Sequence, residues 1–214
     1  MQGEGGFIPM PADYLRRLRE LLDNHGILWV DDEVQSGVGR TGEIWAVEHS
    51  DIQGSGLEPD LVVAGKSLGG GLPLASVTGR AELMDAPGPG QLGGTFGGNP
   101  ASCAAAGATL DVLPGMLPRA REIGEIVRAR LERIAPAGAD VRGLGPMLAL
   151  ELREQDPARA SAVVAAALDR GLVLLTCGLY GNVLRLHVPF VIEDGDLERG
   201  LEILERSLDG NTSA

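Results

Sequence analysis

Lysine 66 stands between an apolar run and three consecutive glycines, in DLVVAGKSLGGGLPL (residues 60–74). Leu61 to Ala64 read as a short buried strand closed by Gly65. A lysine there lies at the carboxyl end of a strand, on the rim where open α/β sheets bind ligands. Asp32, in VDDEVQ, ends another apolar run, ILWV. Two neighbouring strands would then present an amine and a carboxylate at one rim. The plain reading is a lysine reaching for solvent from a strand end, and a structural ion pair.

The chemical reading is a site for pyridoxal phosphate. That cofactor needs a lysine for a Schiff base with its aldehyde. It also needs an acid beside the pyridine nitrogen, so that the protonated ring acts as an electron sink. A lysine with its ordinary pKa of about 10.4 is a poor nucleophile at neutral pH. Desolvation or cationic neighbours would have to activate it.

Two glycine patterns offer other chemistry, and both fail on context. AGKS looks like the end of a phosphate-binding P-loop, but that motif needs a glycine where Asp60 stands and a loop where the apolar strand stands. GVGRTG places Gly37, Gly39 and Gly42 in dinucleotide-binding spacing. That motif should leave a strand directly and open a helix. Here DDEVQS intervenes, and only the short EIWAVEHS follows.

Elements must hold these residues in place. PADYLRRLRELLDNHG is an amphipathic helix with Leu15, Leu18, Leu21 and Leu22 on one face and Gly26 as its stop. It feeds the strand ILWV, the helix-to-strand order of a parallel sheet. LASVTG reads as a further strand. NPASCAAAGATLDVL is a helix of small residues. LPRAREIGEIVRARLERIA is a second amphipathic helix, with Ile123, Ile126, Val127, Leu131 and Ile134 on one side. Strand MLALEL, a helix from the N-cap Asp156 to Gly171, strands LVLL and NVLRLHV, and the helix DGDLERGLEILERSL complete the order. The expected class is α/β: part of a large domain with a mostly parallel sheet over 1–110, a small α/β domain over 111–208, and a disordered tail over 209–214.

Composition narrows the partners. The chain has 214 residues, 44% of them hydrophobic, enough for a real core. A formal net charge of −12 argues against nucleic acid and anionic membranes. Cys103 and Cys177 are two distant cysteines in apolar contexts, expected as buried thiols. No disulfide framework or thiolate metal site is expected, and a reducing cytoplasm fits. No run reaches transmembrane length, and the opening MQGEGGFIPMP is not expected to be a secretory signal.

Several longer stretches carry a resemblance. GILWVDDEVQSGVGRTGEIWAVEH, PDLVVAGKSLGGGLPLASVTGRAELMD and GGTFGGNPASCAAA resemble the class III aminotransferases, fold type I enzymes that use pyridoxal phosphate. VRGLGPMLALEL, GLVLLTCGLYGNVLRLHVPFVIED and the opening QGEGGF are similar to the bacterial 4-aminobutyrate aminotransferase branch. The resemblance covers nearly the whole chain. It implies that Lys66 forms the Schiff base and moves the proton, and that Asp32 pairs with the pyridine nitrogen. It implies that Val34 packs on the ring and Gln35 lies near the phenolic oxygen. It gives Thr95 to the phosphate of a cofactor held by the partner subunit of a homodimer. Arg185 would take a substrate carboxylate, and Glu4 would pair with that arginine when the substrate lacks an α-carboxylate. The implied reaction moves the amino group of an ω-amino acid, 4-aminobutyrate first, to 2-oxoglutarate. Ornithine or diamine donors, and aminomutase or racemase chemistry, are the alternatives within the family.

The residues themselves support part of this. Alternation along NVLRLHV puts Leu184, Leu186 and Val188 on one face and Arg185 and His187 on the other. An arginine so placed can grip a carboxylate through two parallel hydrogen bonds, or can serve in an ordinary salt bridge. Asp31 departs from the family pattern, and its position beside Asp32 on a strand points it to the opposite face. The stretch ahead of QGEGG, which in the family holds the cofactor phosphate and stacks on its ring, has no counterpart here. The expectation is a C-terminal half, either a truncated inactive fragment or one half of a split enzyme. Alone it is expected to retain cofactor weakly, show little activity and aggregate.

Overall fold

The structure, a computed structural model, describes residues 1–50, 58–153, 155 and 157–210. Asp156, expected as a helix N-cap, and residues 211–214 of the expected tail lie outside the described residues. The chain divides into two units, Met10–Leu117 and Met1–Pro9 with Pro118–Ala214. The sequence reading instead put residues 1–110 together. The first nine residues group with the C-terminal unit.

In the unit Met10–Leu117, helix α1 (Tyr14–His25) ends on Gly26 in the left-handed region, whose amide returns to the last turn. Strand β1 (Val30–Asp32) pairs in parallel with β2 (Leu61–Ala64), Asp32 opposite Val63. Strand β3 (Ser76–Gly79) joins β2 antiparallel, so the sheet order is β1-β2-β3. β1 starts at Val30, where ILWV placed the strand from Ile27. Ile27 and Leu28 are exposed, and the Trp29 carbonyl already accepts the Asp60 and Leu61 amides. The junction is locked by buried Asp60. Its carboxylate takes the Trp29 amide at 2.6 Å, Arg19 at 2.9 Å and Arg80 at 2.6 Å. Helix α2 (Ala81–Met84) is a single turn after β3.

Helix α3 (Pro100–Ile134) is one continuous element where the sequence suggested two. Prolines 114 and 118 lie on the exposed face, so the carbonyls of Leu110 and Pro114 that lose their helical donors can turn to water. Leu113, Leu117, Ala120, Val127 and Leu131 are buried at helical spacing through both prolines. Cys103 on this helix is exposed, not buried; Cys177 is buried.

In the other unit, β4 (Asp140–Leu144), β5 (Met147–Glu151), β6 (Leu175–Cys177) and β7 (Val183–His187) form an antiparallel sheet of order β4-β5-β7-β6. Helices α4 (Pro157–Leu168) and α5 (Asp194–Asp209) cover one face. Leu148, Leu150, Leu184 and Leu186 point into that core with Ile123, Val127 and Leu131. Period-two alternation turns Arg142, Ala149, Glu151, Arg185 and His187 to the opposite face. β4 is an element the sequence reading missed, because DVRGL is short and carries a charge on alternate residues.

Candidate active site

Lys66 follows β2 by two residues and opens a single 3-10 turn, Lys66–Gly69. Its φ is +45°, the left-handed region, which costs a residue with a side chain about 1–3 kcal/mol and clusters at functional sites. Gly70 (φ 58°) and Gly71 (φ 105°) then carry the chain through a reversal that side-chain-bearing residues resist. The reversal brings Leu72–Ala75 back beside Lys66. With Phe96, Gly97 and Gly98 they line a cavity of about 500 Å³ that includes Lys66. This answers why a lysine precedes three glycines: the strand ends, the amine emerges, and the glycines let the chain fold back around it. Lys66 is exposed and makes no hydrogen bond or ion pair among the described residues. It is the only lysine in the chain.

Asp32 ends β1, the strand next to β2, and is exposed. Its Oδ1 accepts the Val34 amide at 3.1 Å, an Asx turn that fixes the side chain at the rim. Oδ2 accepts no hydrogen bond among the described residues. Val34 lies over Gly65, its Cγ1 3.6 Å from where a Cβ on that glycine would sit. Gln35 follows in the same turn. Asp31 lies more buried, with its Oδ2 unpartnered. Burial, and then the nearby Glu33 carboxylate, push Asp31 up to about 7. Glu33 is itself buried, bonded to the Ser36 hydroxyl and accepting the Val47 amide at 2.9 Å. Thr95 sits in the exposed turn Thr95–Gly98. That turn supplies three residues to the cavity wall, but Thr95 is not among them.

In the other unit, Arg185 on β7 is ion-paired with Glu4. Arg185 is largely covered, whereas the Glu4 side chain is 70% exposed. The backbone around Glu4 is tied down. Gln2 and Ile8 close a bridge by two amide bonds of 3.0 and 3.1 Å, and Gly178 donates to the Glu4 carbonyl at 2.9 Å. Phe7, fully buried at φ 52°, joins Met147, Ala149, Cys177 and Val183 in a small second core, and its ring stacks on His187 with centroids 5.0 Å apart. Burial pushes the Cys177 thiol up, with Arg185 pulling the other way.

The structure therefore gathers Lys66, Asp32, Val34 and Gln35 at neighbouring strand ends of one unit, and Glu4 with Arg185 on one face of the other. The fit to pyridoxal phosphate in the first group is chemical. It offers an unpaired amine on a strained residue at a cavity, with a strand-end carboxylate that keeps an open oxygen. Arg142 in the second group went unnoticed in the sequence. The signal was the alternation Asp140-Val141-Arg142 along β4.

The family described as aminotransferase class-III matches residues 1–208. The chain is 48% identical over 215 residues to a 5-aminovalerate aminotransferase of Pseudomonas putida, covering 96% of this chain and 49% of that protein. It is 47% identical over 220 residues to a 4-aminobutyrate aminotransferase of Escherichia coli, covering 98% and 50%. The crystal structure of an ornithine aminotransferase from Toxoplasma gondii superposes with a TM-score of 0.87 at 34% identity, covering 99% of this chain and 50% of that one. A second structure of that enzyme carries PLP at partial occupancy in its active site. The chain spans about half the length of the curated relatives it matches. No helix among the described residues is long and apolar enough to cross a membrane.

Proposed function

From the premise that this chain belongs to the class-III aminotransferases, fold type I enzymes, we propose that it serves in transamination of an ω-amino acid, 4-aminobutyrate first, with 2-oxoglutarate as acceptor. The observation that carries this reading is the Glu4–Arg185 pair. A donor with no α-carboxylate leaves Arg185 without a partner, and Glu4 neutralises it. A substrate with two carboxylates displaces Glu4 and takes both guanidinium donors. Glu4 is exposed enough to swing aside while its backbone stays bonded. Relatives named for 4-aminobutyrate and 5-aminovalerate support the same class of donor.

Pyridoxal phosphate supplies an aldehyde that condenses with amines and a ring that draws electrons from the reacting carbon. Lys66 Nζ would hold its aldehyde and would pass the proton on the substrate carbon. Asp32 Oδ2 would accept from the pyridine nitrogen and keep a proton there. Val34 and Gln35 would lie against the ring and its phenolic oxygen. Thr95, on a turn where Phe96 is 86% exposed, would reach the phosphate of a cofactor held by the partner subunit of a homodimer. The free thiols Cys103 and Cys177 support a reducing, cytoplasmic setting.

The chain spans about half the length of these relatives, and residues matching the rest of their length would complete the cofactor site. Exposed Leu28, Val30, Leu92 and Phe96 in the unit Met10–Leu117 are consistent with a surface that needs cover. The test is to supply the matching half of a relative and follow the cofactor absorbance on adding single amines. 4-Aminobutyrate is expected to bleach the band. Bleaching by another amine, with none by 4-aminobutyrate, refutes the donor assignment.

A further inference from the structure

Arg142 and Arg185 occupy one row of the antiparallel sheet. Arg142 on β4 is opposite Ala149 on β5, and Ala149 is opposite Arg185 on β7. Two strand spacings separate the arginines by roughly 10 Å, on the same face. Glu4 could in principle answer to either cation. The structure shows why it answers to Arg185. Arg142 is already taken, by Asp140 at 2.8 Å and Glu151 at 2.5 Å. Its Nε donates to the Gly6 carbonyl at 2.7 Å, two residues from Glu4. A Cβ on Gly6, at φ 115°, would stand 2.7 Å from Arg142 Nη2, so a side chain there would be strained and would push the guanidinium away. The buried Phe7 seats the loop above Ala149, between the two arginines.

We propose that Arg142 is a positioning residue that sets the Glu4–Arg185 pair, holding the loop backbone so that the exchange of Glu4 for a substrate carboxylate is a side-chain rotation and not a loop movement. The inference rests on the proposed role of Glu4 and Arg185. Arg142 touches neither Glu4's carboxylate nor the incoming one. Its effect must pass through the Gly6 carbonyl, and this makes a specific prediction about coupling.

The test measures glutarate binding to the 214-residue chain by calorimetry, for the parent, Glu4→Gln, Arg142→Met and the double variant. Circular dichroism checks folding. Glu4→Gln removes the competitor and is expected to tighten glutarate binding about tenfold, the scale of a charge-assisted hydrogen bond. Arg142→Met loosens the loop, weakens Glu4's hold and is expected to tighten binding about fivefold in the parent, but not at all in the Glu4→Gln background. Arg142→Lys keeps the charge against Asp140 and Glu151 but loses the fork, and should fall between parent and Arg142→Met. It replaces Arg142→Met in the cycle if that variant does not fold. An Arg142 effect that is absent, reversed or equal in both backgrounds, while Glu4→Gln still tightens binding, overturns the positioning role alone. Failure of Glu4→Gln to tighten binding overturns the Glu4–Arg185 reading, and this inference with it.

Discussion

Arg185 on β7 is ion-paired with Glu4, a residue 181 positions earlier in the chain. The pair exists because a nine-residue segment folds onto a sheet built from the far end of the sequence. Three anchors hold it: the Phe7 ring against His187, the Gly6 carbonyl on Arg142, and the Glu4 carbonyl on the Gly178 amide. The carboxylate, on a side chain 70% exposed, carries the ion pair to Arg185.

Arg185→Lys should weaken glutarate binding by about tenfold or more. Lysine offers a point charge where arginine offers a planar fork matched to a carboxylate. The same calorimetric titration measures it, with an unchanged melting temperature showing that the sheet is intact.

Part of this site was legible in the sequence. Alternation along NVLRLHV placed Arg185 and Leu184 on opposite faces, and apolar runs ending at Asp32 and near Lys66 marked two strand ends. Local patterns carry that much because strand period and strand length are local properties. The rest depends on distant contacts. Nothing near QGEGGF says that Phe7 will be buried under His187, or that Arg142 will hold Gly6. The sequence split α3 into two helices, whereas the structure runs one through Pro114 and Pro118, with buried Leu113, Leu117 and Ala120 packing across them. Gly70 and Gly71 act as a reversal beside Lys66, and only the fold shows which residues that reversal brings back to the amine.

Asp60→Asn should destabilise the unit Met10–Leu117 by about 1.5–3 kcal/mol, the range for a hydrogen bond to a charged group. Burial pushes the Asp60 carboxyl up. The Trp29 amide, Arg19 and Arg80 outweigh it and hold the carboxyl below the usual range. A depressed folded pKa means that this stabilisation is present at neutral pH. It is lost as pH falls through the folded value. Urea unfolding at pH 7 should separate parent from variant, and the gap should close in acid.

Asp31 gives the opposite sign. Its carboxyl is raised to about 7 from 3.8, so between those values the folded chain binds the proton more tightly than the unfolded one. Stability should therefore fall as pH rises from about 4 to about 7. Asp31→Asn should flatten that slope and raise the melting temperature at pH 8 by several degrees. A variant that melts with the parent's pH slope would show that Asp31 is not its source.

The central claim is that Lys66 is the amine that holds pyridoxal phosphate. The most direct measurement is borohydride reduction of the chain with that cofactor, followed by peptide mapping. Lys66 is the only lysine present, so no other side-chain amine competes for the label. The account predicts a reduced pyridoxyl adduct on Lys66, absent in Lys66→Ala. An unmodified Lys66, with label only on the terminal amine or nowhere, would contradict it.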